Sequence, residues 1–299
     1  MRAKRNLSPA GIKNRLYTDE VDRWVRRLGI KPLVGSVYKG TKRAYERVMM
    51  ATNDTYTLEV GDASAEFHMP TVAEFRDLNQ LKEQPVIEDL IARLHPDDVF
   101  YDIGANIGMY SCLAADVASH VIAFEPHPPT ADRLEQNAAL NSGPITAYRC
   151  ALSDTEGTAE FALGLNIIGS TGHTLRSEIR PDARTINVET ATGDQFIADE
   201  QLPSPTVMKI DVEGAELQTL RGLQSTIDRP ECRLLYCEVH GEDANSKERA
   251  LNEVRDLLHD AGFSTSEPLH REVGPELRLA PSLSSSRLRR EPRDRKSVV

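Results

Sequence analysis

Short apolar runs alternate with segments of helical period along most of this chain. Val99–Ile103, His120–Phe124, Ile145–Cys150, Val207–Ile210 and Leu234–Val239 are apolar runs of strand length. Helical segments follow over Met109–Val117, Thr130–Leu140, Ala215–Leu223 and Lys247–Ala261. Such alternation predicts βαβ units, and so an α/β fold with a mainly parallel sheet. Between Ala151 and Glu200 the pattern changes: Thr158–Leu163 and Thr185–Thr190 predict short strands around a glycine-rich loop, Gly164–Gly172, a candidate lid or substrate contact. The pattern predicts three regions: a basic helical extension over 1–57, an α/β domain over 58–281 and a tail over 282–299. Ser282–Val299 is a serine run and then an Arg-rich stretch without apolar periodicity, which composition predicts to be disordered.

The chemistry begins at Asp102-Ile-Gly-Ala-Asn-Ile-Gly108, where an apolar strand ends in an acid and a two-glycine loop opens a helix. Gly104 and Gly108 allow tight turning and close ligand approach, and the helix N-terminus favours anionic groups. A dinucleotide loop would want GxGxxG around a pyrophosphate. Here the spacing is GxxxG, and the carboxylate of Asp102 would repel a pyrophosphate. It suits a ligand carrying an ammonium group or a ribose. The next strand ends in Phe124-Glu125-Pro126, an acid at the distance expected of a ribose acceptor. After the third strand come Ser153 and Asp154. Asp154 suits either an adenine amino group or the capping of a turn over Thr155–Gly157.

A second constellation is Lys209-Ile-Asp-Val-Glu-Gly-Ala-Glu216, with Glu238-Val-His240 ending the following strand. Asp211 and Glu213 share a face while the chain stays extended, and Gly214 lets it turn into a helix. In an open parallel sheet all these tips converge on one crevice. Glu216 reads as a first-turn charge that favours the helix dipole, and Lys209 as partner to a neighbouring carboxylate. His240 reads equally as a loop residue. Asp211 is the strongest candidate for chemistry, since a buried strand tip seldom carries an unpartnered carboxylate. The spacing of His and Cys suggests no zinc site and no resident metal is expected; Mg²⁺ on Asp211, Glu238 and His240 stays open.

Charge sharpens the regional division. Residues 1–50 hold 13 Lys+Arg against 4 Asp+Glu, whereas 51–286 hold 17 against 40. A body that acidic is a poor surface for phosphate backbones, so no nucleic-acid partner is expected. Val21, Trp24, Val25 and Leu28 recur at helical spacing, with Arg23, Arg26 and Arg27 mostly off the stripe. Such a helix suits packing on the domain or peripheral contact with an anionic membrane. The sequence has no membrane-span run, no signal-peptide stretch in its first thirty residues and no CxxC pair among its four cysteines, which predicts a reduced, cytoplasmic setting. Oligomeric state is open.

Together Asp102–Gly108, Phe124-Glu125-Pro126, Ala151–Asp154 and Asp211-Val-Glu-Gly-Ala-Glu216 resemble the FkbM family of S-adenosylmethionine-dependent methyltransferases, and Asn137 and Asn141 match the family's habit. The resemblance covers about residues 98–240. It implies a Rossmann-like class I fold, with a seven-stranded mainly parallel sheet and one antiparallel strand. It also implies O-methylation of a hydroxyl on a sugar, glycan or lipid-linked saccharide. By the same resemblance, Asp102, Gly104, Ala105, Asn106 and Gly108 hold the methionine part of the cofactor, Glu125 and Pro126 the ribose, and Ser153 and Asp154 the adenine side. Asp211 and Glu213 lie near the transferred methyl. Asp211 and His240 are the candidate bases, with Glu213 and Glu238 positioning hydroxyls or tuning the base. Two alternatives stand beside this reading: an NAD- or nucleotide-sugar-dependent oxidoreductase, and a cofactor-binding scaffold without catalysis.

Overall fold

The structure is a computed structural model that describes residues 27–28, 31–72, 74–75, 78, 83–163, 184–241, 243–269 and 285–290. Val21, Trp24 and Val25 of the predicted basic helix and the loop Gly164–Gly172 lie outside these residues. The chain divides into two compact units, Met1–Tyr56 with His68–Leu81, and Thr57–Phe67 with Lys82–Val299.

In the first unit, helix α1 (Lys31–Thr52) is amphipathic, and the rings of Tyr45 and Tyr56 pack on Phe75 with centroids 5.9 and 5.5 Å away. In the second, strands β1 (Thr55–Val60) and β2 (Ala63–His68) form a two-stranded sheet. Helix α2 (Gln84–Ile91) then buries Val86, Ile87, Leu90 and Ile91.

The centre of that unit is a parallel sheet of β3 (Val99–Ile103), β4 (His120–Phe124), β5 (Ile145–Tyr148), β9 (Val207–Ile210) and β10 (Leu234–Glu238), in the spatial order β10-β9-β3-β4-β5. Strands β3, β4, β9 and β10 are almost wholly buried, the mark of parallel strands covered by helices on both faces. The covering helices include α3 (Met109–Ala114), α4 (Pro128–Leu140), α5 (Gly193–Asp199), α6 (Glu216–Gly222), α7 (Gln224–Ile227) and α8 (Ala244–Asp260). Two of these starts are written locally. Pro128 occupies the first turn of α4, where its missing N–H costs nothing. Asp243 and Ser246 cap α8 reciprocally, and Val254 and Leu258 one turn apart bury its inner face.

Three elements depart from the sequence expectation. The third strand stops at Tyr148, short of the predicted Cys150, and Ala151-Leu-Ser153 forms a further strand, β6, that the pattern does not predict. It leaves the main sheet to pair parallel with β8 (Arg184–Thr192), which pairs antiparallel with β7 (Gly157–Leu163). The Thr219 hydroxyl donates to the Leu152 carbonyl at 2.9 Å, and Gly222 lies so close to the Ser153 carbonyl that a Cβ would overlap it, so α6 packs directly on β6. The predicted disordered tail also contains a strand. β12 (Ser285–Arg290) runs antiparallel to β10, and β11 (Phe263–Leu269) is antiparallel to β12. Ladder bonds belong to the main chain, so a serine- and arginine-rich composition carries no signal for them. The other tail residues lie outside the described set.

Candidate active site

Because β3, β4, β9 and β10 are parallel, their C-terminal ends open on one edge of the sheet. From β3 emerges the glycine loop. Gly104 takes φ +77°, and a Cβ there would overlap the Asp211 carbonyl. Gly108 takes φ +85° at the start of α3, where a Cβ would run into Leu134. The N–H groups of Gly104 and Ala105 both donate to the Phe124 carbonyl at 3.0 Å, and Ala105 is buried. Asn137 donates to the Ile107 carbonyl at 2.8 Å, fastening the loop from α4. Asn141 clamps both main-chain groups of Glu66 on β2, accepting its N–H at 2.8 Å and donating to its carbonyl at 2.9 Å. Both asparagines thus hold backbone.

Asp102 is fully buried on β3, in register with Lys209 of β9. Its Oδ2 accepts the Ser111 hydroxyl at 2.6 Å. Its Oδ1 accepts no hydrogen bond among the described residues and lies 3.7 Å from Lys209 Nζ. Burial raises the Asp102 pKa against the opposing pull of Lys209 and Ser111. Glu125, also buried, ends β4. Its Oε2 accepts the Asn106 N–H and its Oε1 the His127 N–H, each at 2.9 Å. Asn106 reaches this geometry at φ +53°, and half-buried Pro126 joins Glu125 to His127. Burial pushes the Glu125 carboxyl up to about 7 despite the two backbone donors. Ser153 ends β6, and Asp154 beyond it is exposed, with the Ser153 hydroxyl 3.4 Å from its Oδ1.

The second constellation gathers around His240. Nδ1 of its ring stands 2.7 Å from Glu216 Oε1. Nε2 stands 3.4 Å from Glu238, 3.5 Å from Glu213 and 3.9 Å from Asp211. The chain reaches this arrangement through a turn, with Glu213 at φ +54° and Gly214 at +106°, so Asp211 and Glu213 converge without the extended backbone that i, i+2 facing would need. Glu216 is buried and also accepts the Gly214 N–H at 2.8 Å; it is a built partner of the histidine as well as a first-turn charge. Burial opposes the imidazolium. The hydrogen bonds to Glu216 and Glu238 and the charges of Asp211 and Glu213 outweigh it and hold the His240 pKa up at about 10. The four carboxylates therefore favour the imidazolium over the neutral ring, and a ring that keeps its proton is a poor acceptor for another. This environment weighs against His240 and toward Asp211 as the candidate base.

Lys209 is buried between Asp211 Oδ2, 3.3 Å away, and Asp102, with its ammonium 4.6 Å from the Tyr110 ring centroid. Burial again opposes the charge, while Asp211, Asp102, Glu83 and Glu238 hold its pKa above the ordinary lysine value. Lys209 thus links the glycine loop to the His240 cluster. Sequence reasoning missed Ser111, Tyr110 and Glu83, whose carboxylate accepts the Tyr110 hydroxyl at 2.8 Å. Ser111 had a faint signal, as the one serine in the largely apolar run Met-Tyr-Ser-Cys-Leu-Ala. Asp211, Glu213 and His240 also bring one ligand-capable atom each within 4.8 Å of one another. A divalent ion there would have to displace the imidazole proton, so metal and proton compete for that volume.

An open α/β sheet with a glycine loop and acids at successive strand tips has the form of a small-ligand binding site. The methyltransferase FkbM domain matches residues 102–265, and the chain belongs to that methyltransferase family. It is 32% identical over 199 residues to the hexuronic acid methyltransferase AglP of Haloferax volcanii, covering 66% of this chain and 80% of that protein. It is 31% identical over 207 residues to the 31-O-demethyl-FK506 methyltransferase FkbM of Streptomyces tacrolimicus, covering 57% and 74%. A solved methyltransferase FkbM from Methylobacillus flagellatus aligns at 15% identity and a TM-score of 0.47, covering 70% of this chain and 47% of that one.

Proposed function

We propose that this chain is an S-adenosylmethionine-dependent O-methyltransferase acting on a hydroxyl of a sugar, glycan or lipid-linked saccharide. The observation that carries the reading is the set of carboxylates of Asp102, Glu125 and Asp211 at adjacent strand tips around a loop whose Gly104 and Gly108 have no room for a Cβ. The residues fit the cofactor's chemistry. Asp102 keeps an oxygen without a hydrogen bond, suited to an ammonium group, and Glu125 is a strand-tip acid suited to ribose hydroxyls. Family membership and a sugar-acid methyltransferase among the relatives support the reaction and the acceptor class. The same reading takes β12 as the antiparallel strand of a seven-stranded class I sheet. It also takes the setting as reducing and cytoplasmic, which four free buried cysteines support. Membership in a methyltransferase family sets the oxidoreductase aside, and the full complement of acids weighs against a scaffold without catalysis.

When bound, the cofactor supplies a methyl group already activated by its sulfonium. The protein's share is then alignment, worth on the order of 7–11 kcal/mol of barrier, and removal of the hydroxyl proton, worth roughly 10²–10⁴-fold. Asp211 takes that proton. The imidazolium of His240 and the ammonium of Lys209 flank Asp211 and fix its orientation. Glu213 and Glu238 keep His240 charged and are the nearest acceptors for further hydroxyls of a sugar.

Calorimetric titration with S-adenosylmethionine and S-adenosylhomocysteine, with NADH as control, tests the reading in low and high salt. Micromolar binding of the first two and none of NADH is the expected result; no binding of either would sink it. Asp102→Ala and Glu125→Ala should each weaken this binding, and unchanged affinity in both would remove the pocket assignment. Glu125 also gives the titration a pH dependence. A carboxylate accepts ribose hydroxyls better than a carboxylic acid does, so affinity should rise as pH passes upward through about 7. Binding about tenfold weaker at about pH 6 than at about pH 8 is expected, with a flat profile in Glu125→Gln. Turnover should survive chelation by EDTA, and loss restored by Mg²⁺ would put a cation in the Asp211, Glu213 and His240 volume instead.

A further inference from the structure

Helix α1 carries an apolar stripe that faces away from its own unit. Leu33, Val37 and Val48 are 64%, 60% and 58% exposed, and they make up three of the five large hydrophobic residues exposed among those described. With Ala44, also exposed, they are spaced i, i+4, i+11 and i+15, which at 100° per residue falls on one face of the helix. Beside the stripe runs a basic ridge of Lys39, Arg43 and Arg47, each four residues after the last and all exposed. The one acid in α1, Glu46, is buried, so every exposed charge on the helix is positive.

Apolar side chains flanked by cations are an amphipathic surface for a phase that is apolar within and anionic at its face. We infer that α1 docks peripherally on an anionic lipid bilayer. Leu33, Val37 and Val48 enter the acyl boundary, and Lys39, Arg43 and Arg47 meet the headgroups. Charge complementarity selects this occupant. A second copy of the helix would set basic ridge against basic ridge. None of the described helices is long and apolar enough to cross a membrane, and the amphipathic face of α1 suits the interface. The inference stands apart from the proposed reaction, whose residues are all elsewhere.

The full chain should co-sediment with vesicles of mixed phosphatidylcholine and phosphatidylglycerol and not with pure phosphatidylcholine, and raised salt should release it. Leu33→Asp with Val37→Asp, and separately Arg43→Glu with Arg47→Glu, should each lower partitioning on the order of tenfold or more. Both pairs are exposed, so melting temperature and cofactor affinity should match the parent. That match separates a failed docking from a failed fold or a failed cofactor assignment. Equal binding to neutral vesicles, or full binding by both variants, would overturn the inference. So would light scattering in which the aspartate variant turns a dimer into a monomer, since a second copy would then cover the stripe.

Discussion

Asparagine in place of Asp211 should lower turnover by roughly 10²–10⁴-fold, the share a positioned base supplies, and leave cofactor affinity within a few-fold. The substitution keeps the shape of the side chain. It also leaves untouched the main-chain features that position the loop: the Asp211 N–H donating to the Ile103 carbonyl at 2.9 Å, and the Asp211 carbonyl against Gly104. What it removes is the negative charge 3.3 Å from Lys209 and the capacity to take a proton. The two cations beside it are poor replacements. His240 already holds its proton, and Lys209 is held above its ordinary pKa. A single-turnover assay beside a calorimetric titration separates the two roles. An equal fall in kcat and cofactor affinity would move Asp211 into the cofactor site.

The strand tips were legible in the sequence for a physical reason. A strand buried on both faces reads as an unbroken apolar run, so Asp102, Glu125 and Asp211 stand out as the polar residues that end such runs. The glycines were legible because a positive φ together with a neighbour in the way of a Cβ, the Asp211 carbonyl at Gly104 and the Leu134 side chain at Gly108, favours glycine. What stayed hidden depends on residues distant in the chain. The charge of His240 is set by four carboxylates from two strand ends and a helix, and no window around His240 contains that sum. Glu216 looked like a dipole charge because first-turn acids are common. Its burial and its bond to His240 appear only once β10 lies beside β9. The departure of Ala151-Leu-Ser153 to a second sheet was equally invisible, since its pairing with β8 is made some forty residues away and both strands have ordinary strand composition. β12 was hidden because its pairing with β10 and β11 is written in the backbone. The stripe on α1 was missed because nothing in a helical period says which face the fold will cover.

Glutamine in place of His240 should cost about 3–5 kcal/mol of stability at neutral pH, because it strands carboxylates that the imidazolium now compensates. Glu216 suffers most: it is buried, and without the ring it keeps, among the described residues, the Gly214 N–H as its donor. Against a total of about 5–15 kcal/mol for a folded domain, the loss is large. The dependence on pH fixes its origin. The folded pKa of His240, about 10, lies above its unfolded value near 6.5. The stabilisation is therefore complete below about 6.5 and is lost as pH rises through about 10. Chemical denaturation should show the variant furthest from the parent near pH 6.5 and closest above about pH 10. Glu216→Gln in the same chain should recover part of the loss at neutral pH, since it removes the carboxylate left without a cation. A deficit independent of pH, undiminished by the second substitution, would mean that His240 is held by packing alone. The imidazolium would then have no part in organising the site around Asp211.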